Sequence, residues 1–147
     1  MKPFNHILLA TDFTEASTPA FRAAIEFAQG NGAEVTIVHA YQPPNMCQAE
    51  AVAPGVYDEW DRNLRTRIEA KLEGLVSEAR KAGVRAKPLV LAGTADEVIV
   101  EAAENDKTDL VVMGTHGRKG VTRFFLGSVA SRVISTSPCP VMTVRAA

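Results

Sequence analysis

Short apolar segments and amphipathic segments alternate along the whole chain, and this alternation limits the fold more than any other feature. The apolar segments are typical of strands and span residues 6–10, 35–39, 84–91, 110–113 and 141–144. The four segments between them repeat apolar residues three or four positions apart, which is the spacing of one helix face. Strands that alternate with helices predict an α/β fold, a doubly wound five-stranded parallel sheet with helices on both faces.

Several residues indicate where these elements begin and end. Gly83 is a typical stop for the long helix before it, and Thr94 with Glu97 forms a capping box that starts the next helix. Pro88 interrupts the third strand and cannot donate to a ladder, so we expect that strand at a sheet edge. Tyr57 and Trp60 have helical spacing, and we expect both to be core anchors.

Length, composition and charge exclude some classes of protein. The 147 residues fit one domain, 1–147, and 46% hydrophobic residues with a formal charge of −1 are ordinary for a globular protein. This net charge creates no overall electrostatic field that would attract nucleic acid or an anionic membrane. No segment reaches the roughly 18 apolar residues of a membrane span, and the first residues do not resemble a signal peptide, so we expect a cytoplasmic protein. Cys47 and Cys139 lack the spacing of a redox pair or zinc site.

A glycine-rich segment joins the fourth strand to the last helix. Gly114 and Gly117 follow the strand, and Gly127 and Ser128 come directly before the apolar periodicity of the helix. Backbone N–H groups that are not covered by side chains, together with the partial positive charge of a helix N-terminus, form an anion site. The segment therefore favours phosphate binding over the alternative, a simple turn followed by a solvated loop.

Other residues near the strand ends extend or limit this hypothesis. Arg118, Lys119 and Arg123 lie within the segment and can pair with phosphate. His116 either reaches the ligand or faces solvent. The chain has neither a Walker loop nor a dinucleotide fingerprint after its first strand. That strand ends in Asp12, whose carboxylate either accepts a hydrogen bond from a nucleoside or, as spacing alone favours, caps the next helix.

The chain resembles the universal stress proteins from end to end. Their signature, G-x2-G-x9-G-[ST], is matched without a gap by Gly114, Gly117, Gly127 and Ser128. The resemblance also covers the run ILLATDF at residues 7–13, VVMGTHG at 111–117, and GSVA with SPCPV at 127–130 and 137–141. One departure is Ala10, where the family frequently has proline.

The resemblance implies a strand order of 3-2-1-4-5, in agreement with the edge position expected from Pro88. It implies ATP as ligand, accompanied by Mg²⁺ or Mn²⁺ held through the phosphates, with Asp12 at the adenosine, backbone near Ala40 at the adenine, and the glycine segment at the ribose and phosphates. It also implies a homodimer through the last strand, Val141 to Val144. The expected ATP-binding residues are Ala10, Thr11, Asp12, Ala40, Met113, Gly114, His116, Gly117, Arg118, Gly127, Ser128 and Val129.

Two classes of function follow from this resemblance. The first is a regulatory protein of the stress response that holds ATP and is recognised by protein partners, which the sequence does not identify. The second is a slow ATPase or phosphotransferase that uses the same site. Hydrolysis needs a group that positions water at the γ-phosphate, and Asp12 is expected at the adenosine end. No general base can be assigned, so we prefer binding. A flavoprotein domain of related topology is disfavoured by the small size of the chain.

Overall fold

A computed structural model describes residues 3–44, 51–115 and 126–146. Its strands are β1 (His6–Ala10), β2 (Glu34–Tyr41), β3 (Ala86–Ala92), β4 (Leu110–Gly114) and β5 (Val141–Val144). Its α-helices are α1 (Thr18–Asn31), α2 (Val56–Lys81), α3 (Ala95–Asn105) and α4 (Ser128–Thr136), and a short 3₁₀ helix, Glu15–Ser17, precedes α1.

The strands form one parallel sheet in the order β3-β2-β1-β4-β5. This confirms the predicted fold class, strand order and edge position of the strand that contains Pro88. The chain moves from β1 outwards to β3 and then returns to add β4 on the other side of β1. The order therefore reverses between β1 and β4, which is the position where open α/β sheets bind ligands.

Each face of the sheet carries its own hydrophobic core. Because side chains alternate along a strand, Leu9 packs with α1 and α2 on one face, while Leu8 packs with α3 and α4 on the other. Both leucines are fully buried. The helices thus cover both faces, and the carboxyl ends of the central strands open between them.

The ends of the helices follow the sequence signals, with one difference. Gly32 ends α1 with a φ of 65°, and Gly83 follows α2 with a φ of 81°, a region that favours glycine. Thr94 is the N-cap of α3, as predicted, but its side chain makes no capping hydrogen bond. The predicted capping box therefore marks the start of α3 correctly without forming its side-chain bond.

The prediction that Trp60 anchors the core is wrong. Its side chain is 42% exposed, and Tyr57 is half-buried, with its hydroxyl donating to the Pro44 carbonyl at 2.6 Å. The buried residues of α2 run from Ile68 to Ala79. The first turns of α2 contribute little to the core, although they keep the same spacing of apolar residues. Across the described residues, no helix combines the length and apolar character that a membrane span requires.

Candidate functional site

A cleft of about 320 Å³ lies at the carboxyl ends of β1, β2 and β4. Residues at the ends of these three strands therefore converge on one space. We call this space the sheet-end cleft. Its lining residues are Ala10, Thr11, Asp12, Ser17, Val38, His39, Ala40, Ala95, Ile99, Met113, Gly114, Thr115, Gly127, Ser128, Val129 and Ala130.

The floor of the sheet-end cleft is apolar. Ala10, Ala40 and Met113 come from neighbouring strands and belong to the core that α3 and α4 cover, and Ile99 adds an aliphatic wall from α3. The small alanine side chains at the ends of β1 and β2 leave room above the sheet. An apolar surface of this kind suits a flat ring system whose polar groups lie at its rim.

The backbone of Ala40 borders this floor, and no other described residue makes a hydrogen bond with its N–H or C=O on the side that faces β1. The Thr11 N–H donates to the Val38 carbonyl at 3.0 Å, so Val38 directs its backbone groups towards β1. Alternate residues of a parallel strand direct these groups to the same side, and Ala40 therefore faces that side too. The register of β1 ends with Ala10 opposite Val38, which leaves the N–H and C=O of Ala40 facing the cleft.

Asp12 stands in a tight turn after β1. Its Oδ1 accepts hydrogen bonds from the Thr14 N–H at 3.0 Å and from the Thr14 hydroxyl at 2.6 Å. The carboxylate stabilises the turn that leads into the 3₁₀ helix, and it does not cap α1 itself, whose N-cap is Ser17. The turn fixes the orientation of the carboxylate, and Asp12 lines the cleft with one oxygen bound in this way.

His39 connects the ends of β1 and β2. Its Nδ1 lies 2.8 Å from the Thr11 carbonyl, which can only accept, so Nδ1 carries the hydrogen and donates. Its ring packs against Phe13 at a centroid distance of 4.4 Å. Phe13 has a φ of 64°, a region that a bulky residue rarely adopts, and its N–H donates to the Thr11 hydroxyl at 3.1 Å. The turn that carries Asp12 is therefore held from β2.

The N-terminus of α4 forms the opposite wall. The Gly127 N–H donates to the Thr115 carbonyl at 2.7 Å, and the Ser131 N–H makes the first intrahelical bond, to the Gly127 carbonyl at 2.9 Å. Among the described residues, the N–H groups of Ser128, Val129 and Ala130 have no protein acceptor. Such groups carry the partial positive charge of a helix N-terminus and favour an anion.

The structure brings together most of the residues that the sequence indicated. Nine of the twelve expected ATP-binding residues line the sheet-end cleft, while His116, Gly117 and Arg118 lie outside the described residues. Lys119 and Arg123 lie outside them as well. No group of three or more His, Cys, Asp or Glu side chains within the described ranges can hold a metal ion.

Sequence reasoning missed part of the wall. Ser17, Ala95 and Ile99 line the cleft but were not expected there. A signal existed for the two residues of α3. Thr94 marked the start of a helix directly after the edge strand, and every helix that follows a parallel strand starts at the carboxyl end of the sheet, where the cleft lies.

The family of the chain follows from a match over almost its full length. The model of the universal stress protein family matches residues 3–145. The chain belongs to this family. A universal stress protein of Thermus aquaticus is 38% identical over 146 residues, which cover 97% of this chain and 99% of that protein.

Solved structures of the family share the fold. The structure of the Methanocaldococcus jannaschii protein MJ0577 has a TM-score of 0.86 at 27% identity and covers 99% of both chains. A universal stress protein from Archaeoglobus fulgidus, solved in complex with dAMP, has a TM-score of 0.67 at 26% identity and covers 98% of this chain and 100% of that one. Family members of this fold therefore include a protein that binds an adenine nucleotide.

Proposed function

We propose that this universal stress protein binds ATP, with Mg²⁺ or Mn²⁺ on the phosphates, in the sheet-end cleft and acts as a nucleotide-dependent regulator in the stress response. One observation carries the proposal. An apolar floor and an open helix N-terminus face the same cleft at the point where the strand order reverses. The floor suits a purine and the helix N-terminus suits an anion, so the residues present fit the two ends of a nucleotide.

The adenine belongs at the end of β2. The N–H and C=O of Ala40 offer one donor and one acceptor side by side, which matches the N1 acceptor and N6 amino donor of adenine. Guanine has the opposite pattern at the corresponding positions, and its binding would leave polar groups unpaired. The relative solved with dAMP supports an adenine nucleotide as the ligand class.

The ribose belongs beside Asp12, and the phosphates beside α4. Oδ1 of Asp12 is held by Thr14, and the other carboxylate oxygen, which accepts no hydrogen bond from another described residue, can accept one from a ribose hydroxyl. The N–H groups of Ser128 and Val129, which have no acceptor among the described residues, supply donors for phosphate oxygens together with the Ser128 hydroxyl. When bound, the divalent ion neutralises phosphate charge. We assign the ion no protein side chain.

We prefer binding over hydrolysis because of where the Asp12 carboxylate lies in the cleft. Asp12 is the carboxylate that lines the sheet-end cleft in the described part of the chain, and two hydrogen bonds from Thr14 hold it in the turn after β1. A general base for hydrolysis must lie within hydrogen-bond reach of water at the γ-phosphate. We assign the phosphates to the N-terminus of α4 and the ribose to Asp12, so this carboxylate serves recognition.

We also propose that two copies associate through β5, Val141 to Val144. This strand is the last in the sheet, and among the strands that the structure describes it pairs with β4 alone. Its four residues are half-buried, as expected for an edge that a partner can cover. Nucleotide binding at the end of β4 would then lie next to the subunit contact, which gives protein partners a surface that depends on the ligand.

Replacement of Ser128 tests the phosphate site. Ser128 is the first residue of α4, a position where proline fits the helix and removes a free N–H. We expect Ser128→Pro to weaken ATP binding about 10- to 100-fold, the loss of a hydrogen bond to a charged group. Ser128→Ala removes only the hydroxyl and serves as the matched control. Calorimetry with adenosine should show little change in either variant.

Two results would contradict the proposal. A folded Ser128→Pro variant that binds ATP as tightly as the unchanged protein would exclude phosphate at α4. Equal affinities for ATP and GTP would exclude the assignment of adenine to Ala40. Release of phosphate in step with ATP consumption would move the conclusion from binding to catalysis.

A further inference from the structure

The outer edge of β3 presents alternate residues to solvent, and hydrogen bonds to β2 identify them. The Val35 N–H donates to the Arg85 carbonyl at 2.8 Å, and the Gly93 N–H donates to the Tyr41 carbonyl at 3.0 Å. Odd-numbered residues of this segment therefore direct their backbone groups towards β2. Ala86, Pro88 and Val90 direct theirs outwards, where a further strand would have to pair.

At each of these three outward positions, a backbone hydrogen-bonding group that a new strand would need is either already bonded or missing. Nη2 of Arg80 donates to the Ala86 carbonyl at 2.9 Å, and Nη2 of Arg65 donates to the Val90 carbonyl at 3.3 Å. Pro88 lies between them and has no N–H to donate. A strand added at this edge would have to displace two guanidinium groups and would still meet the proline.

The two arginines come from α2, which covers one face of the sheet and runs antiparallel to β3. Arg80 lies in the last turn of α2 and reaches the start of β3, whereas Arg65 lies nearer the N-terminus of α2 and reaches the end of β3. Nε of Arg65 also donates to Oε1 of Glu69 at 3.1 Å, one turn along the helix. The guanidinium has donors for both contacts, so Glu69 holds it in place across the strand edge.

The edge formed by β5 is different. The Val111 N–H donates to the Pro140 carbonyl at 3.0 Å, and the Thr115 N–H donates to the Val144 carbonyl at 3.1 Å. Even-numbered residues thus face β4, and Val141 and Thr143 face outwards. Within residues 3–44, 51–115 and 126–146, no hydrogen bond reaches the backbone groups of these two outward residues.

We infer that Arg65, Arg80 and Pro88 close the β3 edge to strand addition, so that a second copy of this chain can pair only at β5 and assembly ends at two copies. The closure of β3 depends only on the contacts described above. The limit of two copies also rests on the proposed β5 dimer. Natural sheets use charged side chains and proline at edges for the same purpose.

A triple variant tests the closure. Arg65→Ala, Arg80→Ala and Pro88→Val together should give a mass by light scattering that is at least twofold above that of the unchanged protein and rises with concentration. Arg62→Ala with Arg67→Ala is the matched control, since both residues are exposed arginines of α2 and, within the described residues, neither donates a hydrogen bond to β3. The control should keep the unchanged mass.

A second variant keeps the test decisive if the triple variant does not fold. Arg65→Ala with Arg80→Ala retains Pro88 and alters side chains on the surface of α2, so we expect it to fold and to show a smaller rise in mass. Folded variants that keep the unchanged mass at every concentration would overturn the closure of β3.

Thr143→Pro separates this inference from the dimer proposal. It removes an outward N–H of β5, a change that an edge strand tolerates. We expect a monomer when it is made alone and a dimer, paired through β3, when it is added to the triple variant. An unchanged mass for Thr143→Pro alone would refute the β5 dimer, whereas the triple variant still decides whether β3 is closed.

Discussion

Replacement of His39 should lower the affinity for ATP, because His39 holds the turn that carries Asp12. His39→Leu removes the Nδ1–H that donates to the Thr11 carbonyl at 2.8 Å and the ring that packs on Phe13 at 4.4 Å. A hydrogen bond of this kind contributes about 0.5–1.5 kcal/mol net. An aromatic pair contributes about 0.5–1.5 kcal/mol beyond its buried area. Together they hold the turn with roughly 1–3 kcal/mol.

This amount is comparable with the strain that the turn contains. A residue held at the φ of Phe13, 64°, costs about 1–3 kcal/mol and keeps that conformation only while its surroundings impose it. Without His39 the turn can relax, and Asp12 would leave the orientation that the cleft requires. We expect ATP affinity to fall about 5- to 150-fold, which is the same free energy expressed as a binding constant.

Calorimetry with ATP and urea unfolding measure the two consequences separately. His39→Asn retains a side-chain N–H donor and should recover part of the affinity. His6→Leu is the matched control, because His6 makes a similar pair of contacts, to the Asp106 carbonyl at 2.9 Å and to the Thr36 hydroxyl at 2.8 Å, at the opposite end of the sheet. It should lower stability and leave affinity unchanged. A folded His39→Leu variant with unchanged ATP affinity would refute the reasoning.

Three further predictions concern stability, each measured by urea unfolding. Leu72→Ala empties a fully buried position and should lower the free energy of unfolding by about 2–5 kcal/mol; a loss below 1 kcal/mol would contradict the packing described for α2. Gly93→Ala should destabilise by about 1–3 kcal/mol, because Gly93 has a φ of 140° and an added Cβ would lie 3.0 Å from Cγ2 of Val98. Burial and the hydrogen bond to Asp61 raise the pKa of Tyr41 above its usual value. The stability that this provides is present below about pH 10 and is lost as the pH rises further, so Tyr41→Phe should show a flatter alkaline profile.

The layout of the sheet could be predicted from the sequence because each signal had a local physical cause. Pro88 has no N–H to donate to a ladder, which favours a sheet edge, and β3 is an edge strand. The alternation of strands with helices predicted a parallel sheet covered on both faces, and helices pack on both faces. Trp60 shows where such reasoning fails. Helical spacing indicates which residues share one face of a helix. It does not indicate how many turns of that face contact the sheet, because this depends on where the helix lies.

The candidate site could be predicted in part, for a similar reason. Gly127 was expected from the order of strand, loop and helix together with the family signature, whereas Asp12 and Ala40 were expected from the resemblance to the family alone. The contribution of His39 could not be predicted, because its partner Thr11 is 28 residues away and its ring contact depends on an unusual backbone angle at Phe13. Contacts of this kind form only after two strands pair, and no spacing in the sequence encodes them.

The proposed dimer makes a specific prediction about register. Val141 and Thr143 face outwards from β5, so a two-fold antiparallel pair satisfies most groups when Val141 lies opposite Thr143 of the partner subunit. Met142 then lies opposite the partner subunit's Met142 as a pair without hydrogen bonds, in which the two Cα atoms are about 4.5 Å apart. This distance permits a disulfide.

Met142→Cys, with Cys47 and Cys139 replaced by alanine, should therefore give a disulfide-linked dimer under mild oxidation, visible on a non-reducing gel. Thr143→Cys in the same background is the control, because the two Thr143 positions would be diagonal neighbours about 7–8 Å apart and should link far less. Equal linkage of both variants would indicate random collision. Efficient linkage at Thr143 with none at Met142 would require a shifted register, and the groups left unpaired by that shift would then have to be satisfied by contacts outside β5.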